Sequence, residues 1–551
     1  MPAATVAEPE YDPGVAVRRR ELLAAAITAP LLGHWWSALA LEASGVASPF
    51  DADTVAGLAK ALAARDYVEA ESALPRVLEE ASYDAYRDFR YRADHALWRE
   101  EGDARFQAQF FHRGFLFRPK VDIHVVDGGQ ARALPFSTEL FDYAPNPAPV
   151  LDDIGFAGFR LHAPLNRADY FDELCVFLGA SYFRAVGRGL GYGLSARGLA
   201  LGTGEPAAEE FPAFRAFWLH RPDAGSQSIT IDALLDSPSV AGAFRFVVTP
   251  GEDTVFDVDA RLYPRVALEK AGIAPLTSMF HFDASGRRDV DDYRPAVHDS
   301  DGLAVFTRTG EQVWRPLHNP RAIQHSGFQG EAPVGFGLMQ RKRGFADYAD
   351  IEARYHHRPS LWIEPRGDWG KGAVMLVELS TNDEIHDNIV AFWRPETPAA
   401  AAAGASAMLE PTEGNQTRGE LRFAAVGDRI EVTGTISGLP GNSTHGFHVH
   451  ETGDCSAPDA TSAGGHFNPA GTEHGRVGQD AHHAGDSDNI TADADGNATV
   501  QGWLEGATVG DGAATDIVGK AVIVHADADD YVTQPTGNAG DRLACGVIAA
   551  R

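Results

Sequence analysis

The sequence predicts a mainly β protein of more than one domain, and three observations predict it. Short apolar segments with period-two alternation, such as "SITIDALL", "GAFRFVVTP" and "TVFDVDARLYP", recur from about residue 106 to 398. Turn-forming residues separate them, and the chain holds 57 glycines and 32 prolines. A stretch of small and polar residues, "AAAAAGASAMLEPTEGNQTRG", interrupts the pattern, after which "ELRFAAVGDRIEVTGTISGL" resumes it. At 551 residues the chain also exceeds what one ordinary core supports.

Taken in order, the elements divide the chain at residues 47, 396 and 417. Residues 1–47 read as a secretory signal of twin-arginine type, with Arg18, Arg19 and Arg20 ahead of an apolar run and small residues between Ala40 and Ala47. A membrane anchor or buried helix is the competing reading, and Pro30 and His34 break the run. Residues 48–396 form the first domain, whose opening 50 residues carry apolar side chains at helical spacing before the strands begin. Residues 397–417 read as an Ala-rich linker with no apolar face to bury. Residues 418–551 form the second domain.

A net charge of −30 disfavours general binding to nucleic acid or anionic lipid. Three cysteines, Cys175, Cys455 and Cys545, leave room for one disulfide in an oxidising compartment.

Histidines concentrate in the second domain. In "GFHVHE", His448 and His450 are two apart on a strand and so project from one face, while Phe447 and Val449 face the other way. His466 follows a loop and His525 ends the strand "KAVIVHAD". Four imidazoles suit a copper ion. A second set, His474, His483 and Asp486 in "EHGRVGQDAHHAGD", makes a tetrahedral zinc set if His466 is shared through its two ring nitrogens. A metal buffer or a copper carrier is the plainer alternative. His445 and His482 read as surface residues.

With "SAGGHFNP", "VIVHADADD" and "GNAGDRLACGVI", these segments resemble the copper/zinc superoxide dismutase family from about residue 408 to the end. The resemblance implies a Greek-key β-barrel. It implies copper on His448, His450, His466 and His525, and zinc on His466, His474, His483 and Asp486. It implies Asp529 as the carboxylate linking the two sites, Cys455 paired with Cys545, Arg542 attracting superoxide, and His466 carrying a proton. The loop between His525 and Arg542 is short, which puts the shape of the approach channel in doubt.

In the first domain, Trp218, Trp314, Trp362, Trp369 and Trp393 lie near polar or Gly/Pro turns and are either core or sugar-stacking. The phrases "DIGFAGFRLHAPLN", "LGASYFRAVGRGLGYGLSARGLAL", "YRPAVHDSDGL" and "TNDEIHDNIVAFW" resemble the periplasmic glucans biosynthesis protein G/D family over about residues 50 to 396. The resemblance implies a large β-sandwich in the periplasm acting on β-1,2-linked glucan, with inverting hydrolysis by Asp387 as acid and Asp299 as base. Without it, both read as turn aspartates. Asp383 and Glu384 are expected to help hold Asp387 protonated. Arg184, Arg188 and Tyr192 are candidates for the sugar groove. The family's second, immunoglobulin-like domain is replaced here by the dismutase-like one.

The expectation is therefore a bifunctional periplasmic protein that disproportionates superoxide and trims glucan. The alternative is a front domain that binds glucan without hydrolysing it and localises the dismutase. A homodimer is compatible with either, and no stable membrane span is expected once the signal is removed.

Overall fold

The computed structural model describes residues 47–550 except 103, 146–150, 152, 288, 289, 400–403, 427, 428, 480 and 511. The leader expected over 1–47 lies, but for Ala47, outside the described residues. No helix among the described residues is long and apolar enough to cross a membrane.

Alternation along the strands builds a sandwich. A seven-stranded sheet runs in the spatial order 48–49, 130–133, 122–127, 213–220, 229–236, 240–249, 255–264. A ten-stranded sheet runs 324–331, 371–378, 389–395, 271–278, 195–197, 182–185, 172–178, 158–163, 107–111, with 200–201 pairing 271–278. In Ile229–Asp236, Ile229, Ile231, Ala233 and Leu235 join the core between the sheets, while Leu234 faces the helix Thr54–Ala63. Phenylalanines fill the space between the sheets: Phe177 stacks on Phe159 at 5.0 Å and meets the edges of Phe217 and Phe246 at 5.4 and 5.2 Å.

The helical stretch expected over 50–100 resolves into Thr54–Ala63 and two short turns, Arg76–Glu79 and Tyr83–Arg87. Pro75 and a run of exposed residues end the periodic pattern.

A third, four-stranded sheet, ordered 312–316, 302–306, 335–339, 361–363, packs Leu303, Val305, Phe336 and Leu338 onto Leu276, Leu376, Ile389 and Trp393 of the ten-stranded sheet. This junction places the candidate carboxylates. Asp299 precedes the strand Gly302–Phe306 and Asp387 precedes the strand Ile389–Pro395. Trp218 and Trp393 are fully buried in the cores, so neither is a sugar-stacking residue; Trp314, Trp362 and Trp369 are half-buried.

The second domain is an eight-stranded antiparallel sheet in the order 447–450, 521–525, 542–547, 404–411, 418–426, 429–437, 498–505, with 549–550 pairing 404–411. It curls around one core in which Val449, Val522 and Val524 from one end meet Val432, Val500 and Leu504 from the other. The linker reading of 397–417 needs correction. Gly404–Pro411 is a strand of this barrel that pairs with 418–426 and buries Ala405, Ala407 and Leu409. Small side chains hid the alternation from a reading based on bulk hydrophobicity.

Cys455 and Cys545 form a disulfide across 90 residues, tying the loop after His450 to the strand Arg542–Val547. Closing a loop of that length stabilises the folded state by about 4 to 5 kcal/mol in the chain-entropy model. Replacing both cysteines by serine is expected to remove about that much from the barrel's unfolding free energy in denaturant titration, with the sandwich transition unmoved.

Candidate functional site: two histidine clusters and a carboxylate groove

Strand geometry brings the first cluster together. His448 and His450 share one face of Phe447–His450, and the neighbouring strand Ala521–His525 carries His525 at its end. An isolated bridge between His450 and His466 returns the following loop to the same place. His474, His483 and Asp486 come from the long loop beyond. Ligand atoms of His448, His450, His466 and His525 lie within 4.8 Å of one another, as do those of His466, His474, His483 and Asp486. All seven residues are buried.

The outward ring nitrogens are fixed by hydrogen bonds. His448 Nε2 donates to Asp529 Oδ2 at 2.7 Å and His474 Nε2 to Asp529 Oδ1 at 3.0 Å. His450 Nδ1 donates to the carbonyl of Gly464 at 2.9 Å and His525 Nδ1 to that of Gly540 at 3.2 Å. His466 Nδ1 lies 2.8 Å from Asp486 Oδ1. The inward nitrogens His448 Nδ1, His466 Nε2, His474 Nδ1 and His483 Nδ1 are buried with no hydrogen-bond partner. His474 Nδ1 does approach Asp486 Oδ2 to 3.0 Å, but off hydrogen-bonding geometry.

Buried nitrogens that converge without partners are costly unless a metal satisfies them. The donor set fits copper on the four imidazoles and zinc on three imidazoles and a carboxylate.

Protonation follows the same layout. Burial, reinforced by neighbouring imidazoles, lowers His466 to about 4 and His525 to about 3, and holds His450 well below its usual value. Their lone pairs are therefore free for a metal. Burial would raise Asp486, but the close imidazoles of His466, His474 and His483 and the His483 N–H outweigh it and hold the carboxylate well below the usual range. Burial pulls His474 down, yet the nearby Asp486 and Asp529 carboxylates outweigh that and raise it to about 9 while no metal is bound.

Arg542 is half-buried at the first cluster and donates to the carbonyls of Ala460 and Gly464 at 2.6 and 2.7 Å. The disulfide holds that loop in place. His445, expected at the surface, is buried, and its Nδ1 donates to the carbonyl of His525 at 2.8 Å. It supports the strand end that carries His525. His482 is half-buried and donates to the carbonyl of His483 at 2.8 Å.

In the sandwich, Asn388 does the positioning. Its side chain is buried, accepts from Phe280 N at 2.8 Å, and donates to the carbonyls of Phe280 and Leu379 at 3.1 and 3.0 Å. That locks the loop holding Asp387 to the strand beside Asp299, whose own N–H donates to Met279 at 2.9 Å. Asp299 is buried, and its Oδ1 lies 3.4 Å from Arg358 Nε. Burial raises its pKa to about 6; Arg358 and Arg184 oppose the shift, while Asp387 and Glu384 add to it.

Asp387 as a residue is open to solvent, whereas its carboxyl is crowded by protein. The carboxyl's own surroundings govern its proton, so the pKa is raised, opposed by Arg184, Arg197 and Arg358. Asp383 and Glu384 are not among the charges acting on Asp387; Glu384 acts on Asp299 instead and is held by Arg294 at 2.9 Å and Tyr355 at 3.1 Å. Arg184 stacks on the Tyr192 ring at 4.9 Å beside both carboxylates, whereas Arg188 pairs away with Glu252. Sequence reasoning missed Arg358, Arg197 and Tyr355, which no local motif marks. Asn388 adjoins Asp387 in the chain, and its neighbour's role was the one available signal.

Fold and site define a β-sandwich with two candidate aspartates at the junction of its four- and ten-stranded sheets, joined to a barrel whose histidine clusters fit copper and zinc. Residues 50–433 match the family model described as periplasmic glucan biosynthesis protein, MdoG, and residues 417–548 match copper/zinc superoxide dismutase (SODC). The chain is 52% identical over 385 residues to glucans biosynthesis protein G of Rhodopseudomonas palustris, covering 70% of this chain and 76% of that one. It is 53% identical over 357 residues to glucans biosynthesis protein G of Vibrio cholerae serotype O1, covering 64% of this chain and 65% of that one. A crystal structure of the clock protein EA4 is 37% identical, covering 27% of this chain and 96% of that one with a TM-score of 0.25. The chain belongs to the periplasmic glucan biosynthesis protein MdoG family and carries a copper/zinc superoxide dismutase domain at its C-terminal end, with copper and zinc as that domain's cofactors. The two matches overlap at 417–433, where the structure has strands of the barrel.

Asp529 orients one imidazole of each cluster, so Asp529→Ala is expected to weaken retention of both metals about 10- to 100-fold. Competition against a chelator, followed by metal analysis, measures it.

Proposed function

We propose that the chain is a bifunctional periplasmic protein, exported by the twin-arginine route, that removes superoxide at the barrel and hydrolyses β-1,2-glucan at the sandwich. The convergence of seven buried ligand residues into two clusters sharing His466 carries the first half. When bound, copper supplies one-electron redox chemistry and zinc holds the geometry. The net reaction takes two superoxide ions and two protons to oxygen and hydrogen peroxide. Arg542 draws the anion toward the cluster against the chain's net charge of −30. His466 presents Nε2, which has no hydrogen-bond partner, to the first cluster, where it holds and delivers a proton. Asp529 keeps the His448 and His474 rings turned inward. Arg542→Ala is expected to lower the superoxide removal rate and its dependence on ionic strength while metal content is retained. Pulse radiolysis at several salt concentrations checks this, and an unchanged rate would count against a steering role.

For the sandwich, Asp387 protonates the leaving glycosidic oxygen and Asp299 activates water from the opposite face of the sugar, giving inversion. The raised pKa of Asp387 suits an acid, and Asp299 at about 6 is mostly ionised at neutral pH, as a base must be. Burial raises Asp299, so its base form is lost as pH falls through about 6. The expected kcat/KM for linear β-1,2-glucan therefore declines below about pH 6, and Asp387→Asn releases no product at any pH. One observation favours a second reading. Only 76% of the R. palustris relative is matched here, and in this chain a dismutase domain follows the matched sandwich. If wild type and Asp387→Asn both bind glucan but release no product, the sandwich is a module that localises the dismutase.

A further inference from the structure

We propose that the pocket beside Asp299 binds a small oxyanion, a phosphate- or carboxylate-type group held by Arg354, His357 and Arg358. The pocket has a volume of about 200 Å³ and is lined by Gly189, Gly191, Tyr192, Arg354, His357 and Arg358. Its charged lining is entirely basic, in a chain whose net charge is −30.

Neighbouring arginines are neutralised. Arg188 pairs with Glu252, and Arg294 with Asp292, Asp350 and Glu384. Arg354 is exposed and makes no ion pair and no side-chain hydrogen bond among the described residues. It is also held in the left-handed backbone region at φ 52° and ψ 48°, where non-glycine residues are uncommon and which clusters at ligand sites.

Two further groups face the same place. Arg358 Nε is buried without a hydrogen-bond partner, while its Nη1 donates to the carbonyl of Tyr192. His357 commits Nδ1 to the carbonyl of Gly189 at 3.2 Å, which leaves Nε2 uncommitted. Two guanidinium groups and an imidazole around one cavity match the planar, charge-assisted recognition of carboxylate and phosphate oxygens. Arg358 also faces Asp299 at 3.4 Å, so an occupied pocket and an ionised Asp299 compete for one guanidinium. The site adjoins Asp299 through Arg358, and its test needs no turnover of glucan.

Calorimetric titration of the full metal-loaded chain with inorganic phosphate, at ionic strength held constant with chloride, reads the site directly. A saturable event in the wild type that weakens at least tenfold in Arg354→Gly is expected. Glycine adopts the left-handed backbone freely, so this change removes the charge and keeps the turn. Arg354→Asn, which also tolerates that conformation, should match it, and Arg354→Lys should recover part of the affinity. A parallel titration with glucose 1-phosphate separates the sources. Tighter binding than phosphate assigns a sugar-borne group, and weaker binding a free anion. No saturable phosphate event, or one of equal strength in wild type, Arg354→Gly and Arg354→Asn, would overturn the proposal.

Discussion

A buried carboxylate stays ionised only where donors surround it, and the barrel meets that constraint at Asp529. Its two oxygens accept from His448 and His474, one from each cluster, while its backbone N–H and carbonyl are both held by the side chain of Asn489. One charged group therefore fixes two rings, one on a strand and one on a loop, and leaves the nitrogens on the far side of those rings facing the cluster interiors. Asp486 plays the matching part on the zinc side, receiving His466 and the N–H groups of Gly475 and His483. Removing either carboxylate would strand donors in a dry interior rather than open a water-filled gap.

The sandwich handles buried acids in the opposite way. Asp299 has one offset arginine contact and unpartnered oxygen, so burial wins and its proton is held more tightly. Asp486 has several histidine and backbone donors, so hydrogen bonding wins and its proton is lost easily. The two domains thus use the same side chain for opposite ends, a titratable group in one and a permanent anion in the other, and the number of donors in reach decides which.

The rigid parts that position these sites are ordinary packing. The four-stranded sheet seals one end of the ten-stranded sheet, and the loops that emerge from the seal carry Asp299 and Asp387. The disulfide does the same for Arg542, pinning the loop whose carbonyls hold its guanidinium. In both domains a few buried polar contacts anchor the loops that complete the sites, Asn388 in one and Asp529 in the other.

Much of the barrel was legible in the chain. His448 and His450 share a face because strand geometry has period two, and the composition of the following loops supplies the rest of both ligand sets. The role of His445 was not legible, because burial under a neighbouring strand end depends on a residue 80 positions away. Nor was the strand Gly404–Pro411, whose alternating alanines carry too little hydrophobic signal to stand out until the barrel closes over them. In the sandwich, the family resemblance pointed to two aspartates that local sequence alone reads as turn residues, and nothing in the chain showed what governs their protons. Arg358, Arg184 and Glu384 reach Asp299 from three separate segments, and burial arises where two sheets meet. Sequence by itself determined which side chains alternate toward a core and which ligand types are available. Tertiary structure alone decided which carboxylates are buried and how many donors reach them, because electrostatic shifts depend on distances that local spacing along the chain does not encode.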